Sequence, residues 1–111
     1  MKRVFTAMVL LLNLTVVGAQ KVFSVSHAHE ADVKVFTVDY PHQADLLVYK
    51  VGYEHQAGKN DGSWYFTKYN HQADKKIFFT DYAHQADVTV FFVEYAHQAG
   101  WKNRSKMHFF Y

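Results

Sequence analysis

The sequence predicts an all-β domain of about seven short strands arranged in two pseudo-twofold halves. Three observations carry this. A strand-and-turn unit recurs along the chain, the runs between turns are rich in Val, Phe, Tyr, Thr and Ile, and many of those runs alternate apolar with polar residues. Half of the 111 residues are hydrophobic and 18% are aromatic, enough apolar surface for an ordered core. There is no cysteine, so disulfides, thiolate metal clusters and thiol nucleophiles are excluded.

The chain opens with Met1-Lys2-Arg3, continues in an apolar run from Val4 to Val17, and then reads Gly18-Ala19-Gln20. A basic start, a short apolar centre, and Val17 and Ala19 at the −3 and −1 positions read as a secretory signal cleaved after Ala19. The run falls short of the roughly 20 residues a spanning helix needs. Residues 1–19 are therefore read as a signal peptide and 20–111 as the mature domain. That domain is expected to be secreted or periplasmic, with no membrane contact after cleavage. Losing Lys2 and Arg3 leaves basic and acidic residues equal in number. Without a basic excess no nucleic-acid partner is expected.

Six turns follow: His29-Glu30-Ala31-Asp32, His42-Gln43-Ala44-Asp45, His55-Gln56-Ala57-Gly58, His71-Gln72-Ala73-Asp74, His84-Gln85-Ala86-Asp87 and His97-Gln98-Ala99-Gly100. Two residues before each His stands His27, Tyr40, Tyr53, Tyr69, Tyr82 or Tyr95, and before that an apolar run. The third and sixth turns end in Gly and lead into the polar insertions Lys59-Asn60-Asp61 and Trp101-Lys102-Asn103. Sliding the chain along itself superposes Phe36 on Phe78, Tyr40 on Tyr82 and Val48 on Val90, which defines the two halves. The same shift lays Met107–Tyr111 over Tyr65–Tyr69, so the C-terminus is read as a seventh strand that integrates into the fold.

Within the units the alternation slips. Val33 and Val35 share one parity while Phe36, Val38 and Tyr40 share the other, which predicts a bulge or bend between Val35 and Phe36. Phe78-Phe79 and Phe91-Phe92 place aromatics on both faces, so those strands are expected either to be buried on both sides or to belong to an interface. From the residues alone these strands would assemble as an antiparallel barrel or sandwich.

The turns explain themselves locally. Asp32, Asp45, Asp74 and Asp87 alternate with Gly58 and Gly100, and the two residue types share a tolerance of turn backbone, so the Asp is read as conformational rather than charged. Pro41 suits the first corner of a tight turn or a one-turn helix. Ala31, Ala44, Ala57, Ala73, Ala86 and Ala99 never vary, which predicts a methyl tucked against a neighbouring element. The Gln amides are expected to satisfy backbone groups the turns leave unpaired.

Strands ending in Tyr-x-His-Gln-Ala-Asp or Gly, with Gly62-Ser63-Trp64-Tyr65-Phe66 after the mid-chain insertion, resemble the septoil-knot family of small bacterial domains. The resemblance covers nearly all of residues 21–111 and departs from the pattern at His27 and Glu30. It implies a compact β-rich domain whose backbone is deeply knotted as a seven-crossing torus knot, with no established activity. A knot of this kind would act kinetically, by raising the barrier to unfolding.

The six histidines His29, His42, His55, His71, His84 and His97 admit two readings. In one they are architecture, each bonding a carbonyl and packing on its Tyr. Six buried neutral imidazoles would then cost stability as pH falls below about 6.5. In the other, the repeat builds a ring of imidazoles that binds a divalent metal. The first is favoured, because each turn offers one His and the Asp gives way to Gly twice. No cofactor, metal or catalytic residue is therefore assigned, and near-identical units lack the asymmetry a catalytic site uses. An interaction role is expected instead, with a protein or glycan partner. Trp101, set among polar residues, is its candidate binding surface. Near-identical strands also suit a homodimer.

Overall fold

The computed structural model describes residues 20–57 and 60–111. The signal-peptide reading of residues 1–19 and the turn residue Gly58 lie outside the described residues. Seven strands are present: β1 (Gln20–Ser24), β2 (Val33–Thr37), β3 (Leu46–Lys50), β4 (Ser63–Phe66), β5 (Lys75–Phe79), β6 (Val88–Phe92) and β7 (Gly100–Trp101). The first six lie in the order β4-β1-β5-β2-β6-β3, and β3 returns to pair with β4, so the sheet closes on itself. Every pairing among these six is parallel; β7 alone runs antiparallel, along β3.

This corrects the antiparallel expectation. Parallel neighbours ordinarily need a dozen or more connecting residues, because the chain must return to its starting end. Here the register removes that need. Ser24 and Val33 both pair with Ile77, so β2 begins across β5 at the level where β1 stops. Thr37 and Leu46 likewise share Val90, Phe66 and Lys75 share Val22, and Phe79 and Val88 share Val35. Each of these links therefore steps over one strand contributed by the other half of the chain.

One-turn 3-10 helices shape the links, at Ala28–Glu30, Pro41–Gln43, Glu54–Gln56, Asn70–Gln72, Ala83–Gln85 and Ala96–Gln98. Ala28–Glu30 lies against β5 and Pro41–Gln43 against β6. Pro41 holds the first helical position, where its missing N–H costs nothing.

Period-2 alternation fills the barrel. Val22, Val33, Val35, Leu46, Val48, Ile77, Val88 and Val90 form one buried cluster with Trp64 and Phe110. The opposite parity carries Phe23, Phe36, Phe78 and Phe91, half-buried on the outside. The expected bulge or bend between Val35 and Phe36 is absent: β2 runs unbroken and in continuous register from Val33 to Thr37, and Phe36 lies half-buried on the outward face. Cover on both faces of Phe78-Phe79 and Phe91-Phe92 is met in the same way, with Phe79 and Phe92 packed on the core cluster.

The C-terminus is not a strand. Residues Arg104–Phe110 form a 3-10 helix, started by Asn103, whose side chain accepts from the Ser105 N–H. Its integration rests on Phe110, which is 2% exposed, lies 5.2 Å from the Trp64 ring and takes a hydrogen bond from Gln20 Nε2 to its carbonyl. Tyr111 itself is exposed. At the entry to β4, Gly62 adopts φ +94°, and a Cβ there would collide with the Leu47 carbonyl oxygen.

Candidate functional site: a girdle of aromatic pairs

The six 3-10 turns are built alike. Each opens on an extended residue, with φ between −125° and −136° at His27, Tyr40, Tyr53, Tyr69, Tyr82 and Tyr95. An N–H to C=O bond then closes the turn, as from Gln43 to Tyr40 at 3.0 Å and from Ala44 to Pro41 at 3.1 Å. The extended residue and the His two places later project side by side. Their rings lie 5.9 Å apart in all five Tyr–His pairs and 5.7 Å apart between His27 and His29.

Structural work in the turns falls on the other positions. The Gln56 amide oxygen accepts from the Gly52 and Tyr53 N–H groups, and that of Gln98 accepts from Tyr95. In two turns a threonine relays the same job: Tyr69 N–H donates to Thr67 Oγ1, which donates to Gln72, and Thr80 links Tyr82 to Gln85 identically. These glutamines are exposed, and their amides serve the backbone of the turns. Ala44 is buried and the other turn alanines, Ala31, Ala57, Ala73, Ala86 and Ala99, are half-buried, in keeping with a tucked methyl.

The aspartates do more than tolerate a turn. Asp74 donates its N–H to the Lys21 carbonyl and accepts the Lys21 N–H on its carboxylate. Asp32 does the same with Lys76, Asp87 with Lys34 and Asp45 with Thr89. Each carboxylate takes the acceptor place that a continued strand's carbonyl would hold. The conformational reading of Asp is thus corrected: its oxygen is the functional part. Gly100, by contrast, sits at φ +152°, where nothing surrounds the missing Cβ. Asp45 has the richest set of partners, adding Asn103 Nδ2, the Thr89 hydroxyl and, at 3.5 Å, Lys106 Nζ. Burial alone would raise its pKa, but the Thr89 N–H, the Asn103 and Thr89 side chains and the Lys106 charge together hold it below 3.8.

The histidine expectation fails in one part and holds in another. His29, His42, His55, His71, His84 and His97 pack beside the preceding ring, but they are exposed and none bonds a carbonyl of another described residue. Among the described residues no three His, Asp or Glu side chains converge as a group that could hold a metal ion. Trp101 is also not a free platform. It is half-buried, its indole N–H donates to Asn60 O and Oδ1 at 3.0 and 3.1 Å, and its ring packs 6.0 Å from Phe110.

What remains outward is the set of tyrosines. Tyr40, Tyr53, Tyr69, Tyr82 and Tyr95 are 56–66% exposed, and their hydroxyls bond no other described residue. Between neighbouring turns lie shallow grooves floored by the outward phenylalanines. One of about 380 Å³ runs over Phe23 between Glu30 and Asn70; another of about 540 Å³ runs over Phe91 between Pro41 and Tyr95. A third, of about 440 Å³, crosses Phe78 between Ala28 and Gln85. Beside Tyr53 and His55, Lys21 and Glu54 pair at 3.1 Å. The period of the repeat made these residues visible in the sequence, but which ring would be buried was not legible there.

A family model described as the 7(1) septoil knot domain matches residues 19–102. No curated protein and no solved structure matches the chain.

Proposed function

That match spans most of the chain, which therefore belongs to the 7(1) septoil knot domain family, and from this premise we propose a non-catalytic interaction module that displays aromatic pairs from a rigid barrel. One observation carries the reading: five tyrosines stay exposed at equivalent places, each beside the imidazole two residues on, and their hydroxyls bond no other described residue. A ring that recurs at the surface with its hydroxyl unused inside the molecule is best explained by a task outside it. Isolated flat rings set among Gln, Asn, Lys and Glu suit a ligand with small apolar faces and many hydroxyls, such as a polysaccharide. Several weak contacts around one girdle would add through avidity. Residues 1–19 support a secreted or periplasmic setting for this role, where a knotted chain without disulfides would resist proteolysis by unfolding slowly.

The test is co-sedimentation of the purified protein with insoluble polysaccharides (cellulose, chitin and bacterial cell-wall sacculi), read against a variant with Tyr53→Ser and Tyr95→Ser. The expected result is binding to at least one polymer that the double variant loses while keeping its circular dichroism spectrum. No binding to any polymer, or binding that the substitutions leave intact, would sink the glycan reading.

A further inference from the structure

The first turn differs from the other five in its surface chemistry. Where they present Tyr and His, it presents two imidazoles, His27 and His29, both exposed, with ring centroids 5.7 Å apart and planes within 18°. The backbone sets this spacing: His27 has φ −133° and ψ 138°, beside −136° and 143° for Tyr40, and the Tyr40–His42 rings lie at nearly the same separation. The chain thus holds six copies of one scaffold, of which a single copy carries two nitrogen ligands.

We propose that His27 and His29 chelate one divalent transition-metal ion from the copper end of the series. Two imidazole nitrogens bound side by side, each at about 2.0 Å from the ion, sit roughly 3 Å apart. Exposed rings 5.7 Å apart between centroids reach that distance by turning about their Cα–Cβ and Cβ–Cγ bonds, and neither imidazole has a hydrogen bond to another described residue to break. Imidazole suits copper, nickel and zinc, and affinity at a nitrogen site rises to a maximum at Cu(II). The other turns set one imidazole beside a phenol, so they lack the second nitrogen ligand. No third His, Asp or Glu joins the pair among the described residues, so the remaining coordination positions fall to water. The bound ion is exchangeable and solvent-facing. It is not a structural ion of the barrel.

The repeat supplies its own controls. His27→Tyr gives the first turn the Tyr–His ring pair of the other five, and Tyr40→His gives the second turn the His–His pair of the first, so both variants keep a ring pair the fold already uses. Copper(II) sulfate is titrated into the purified chain by calorimetry, with electron paramagnetic resonance at equimolar metal. The expected result is one ion per chain with two equatorial imidazole nitrogens, and an additional ion in Tyr40→His. Loss of an inner ligand costs at least as much as loss of its outer partner, so His27→Tyr is expected to weaken binding by about tenfold or more. Unchanged affinity in His27→Tyr, or no added ion in Tyr40→His, would overturn the assignment.

Discussion

Four aspartates, Asp32, Asp45, Asp74 and Asp87, each join the end of a turn to a strand from the other half of the chain. A carboxylate accepting a backbone N–H is a charge-assisted bond, and its removal strands that N–H at the edge of the ladder. Asp87→Ala should therefore lower stability by about 1.5–3 kcal/mol, whereas Asp87→Asn, which keeps an acceptor oxygen, should lose less. Urea unfolding at full equilibrium separates the two, and losses near zero in both would show that neither the charge nor the acceptor contributes. Asp45 adds a pH dependence. Its folded pKa is held below 3.8, so its contribution is complete above that value and fades as pH falls through the lower, folded one. The unfolding midpoint should hold from pH 7 to 5 and drop below about pH 4, less steeply in Asp45→Asn. An acid transition near pH 6.5 was the corollary of buried imidazoles, and the turn histidines are exposed.

Each strand and its following turn form one element, and the sequence displayed that element plainly. Runs of Val and Phe closed by Tyr-x-His-Gln-Ala-Asp gave the strands, the 3-10 turns and the two halves. Direction was not legible. Parallel interior strands are usually apolar throughout, whereas these alternate, because their outer face is only half covered by the turns. Pairing was not legible either, since Lys21 meets Asp74 and Lys34 meets Asp87, each across 53 residues. The C-terminal 3-10 helix was misread because the shift that aligns Met107–Tyr111 with β4 compares positions, not what each segment has left to pair with. β3 already spends one edge on β6 and divides its other edge between β4 and β7, so the segment after β7 packs instead of pairing. It closes the barrel with Phe110 against Trp64 and Trp101. Phe110→Ala should cost about 3–5 kcal/mol and shift tryptophan emission to the red, as both indoles lose a neighbour. An unchanged emission maximum would mean that Phe110 does not seal this end.

At the scale of the whole molecule, every strand pairing joins one half to the other. β1, β2 and β3 pair only with β4, β5, β6 and β7, and no two strands of the same half touch as neighbours in the sheet. The halves are pseudo-repeats of each other, yet among the described residues neither contains a hairpin, a two-stranded ladder or a closed core of its own. Repeat proteins commonly gain stability unit by unit from nearest neighbours along the chain. In this barrel the neighbours in sequence are separated by a strand from elsewhere, so stability arrives only when both halves are interleaved. Such long-range pairing raises the entropic cost of the first contacts and slows folding. It also predicts the behaviour of fragments. Peptides of residues 20–57 and 60–111 should each give an unfolded circular dichroism spectrum alone, because each lacks all the partners of its strands. Mixed at equal concentration they should recover strand signal and shift the emission of Trp64 and Trp101, both carried by the 60–111 peptide, to the blue, with a rate that rises with concentration. A stable, folded 60–111 peptide in isolation would contradict the interleaved sheet directly, since β4, β5 and β6 would then have to pair with one another.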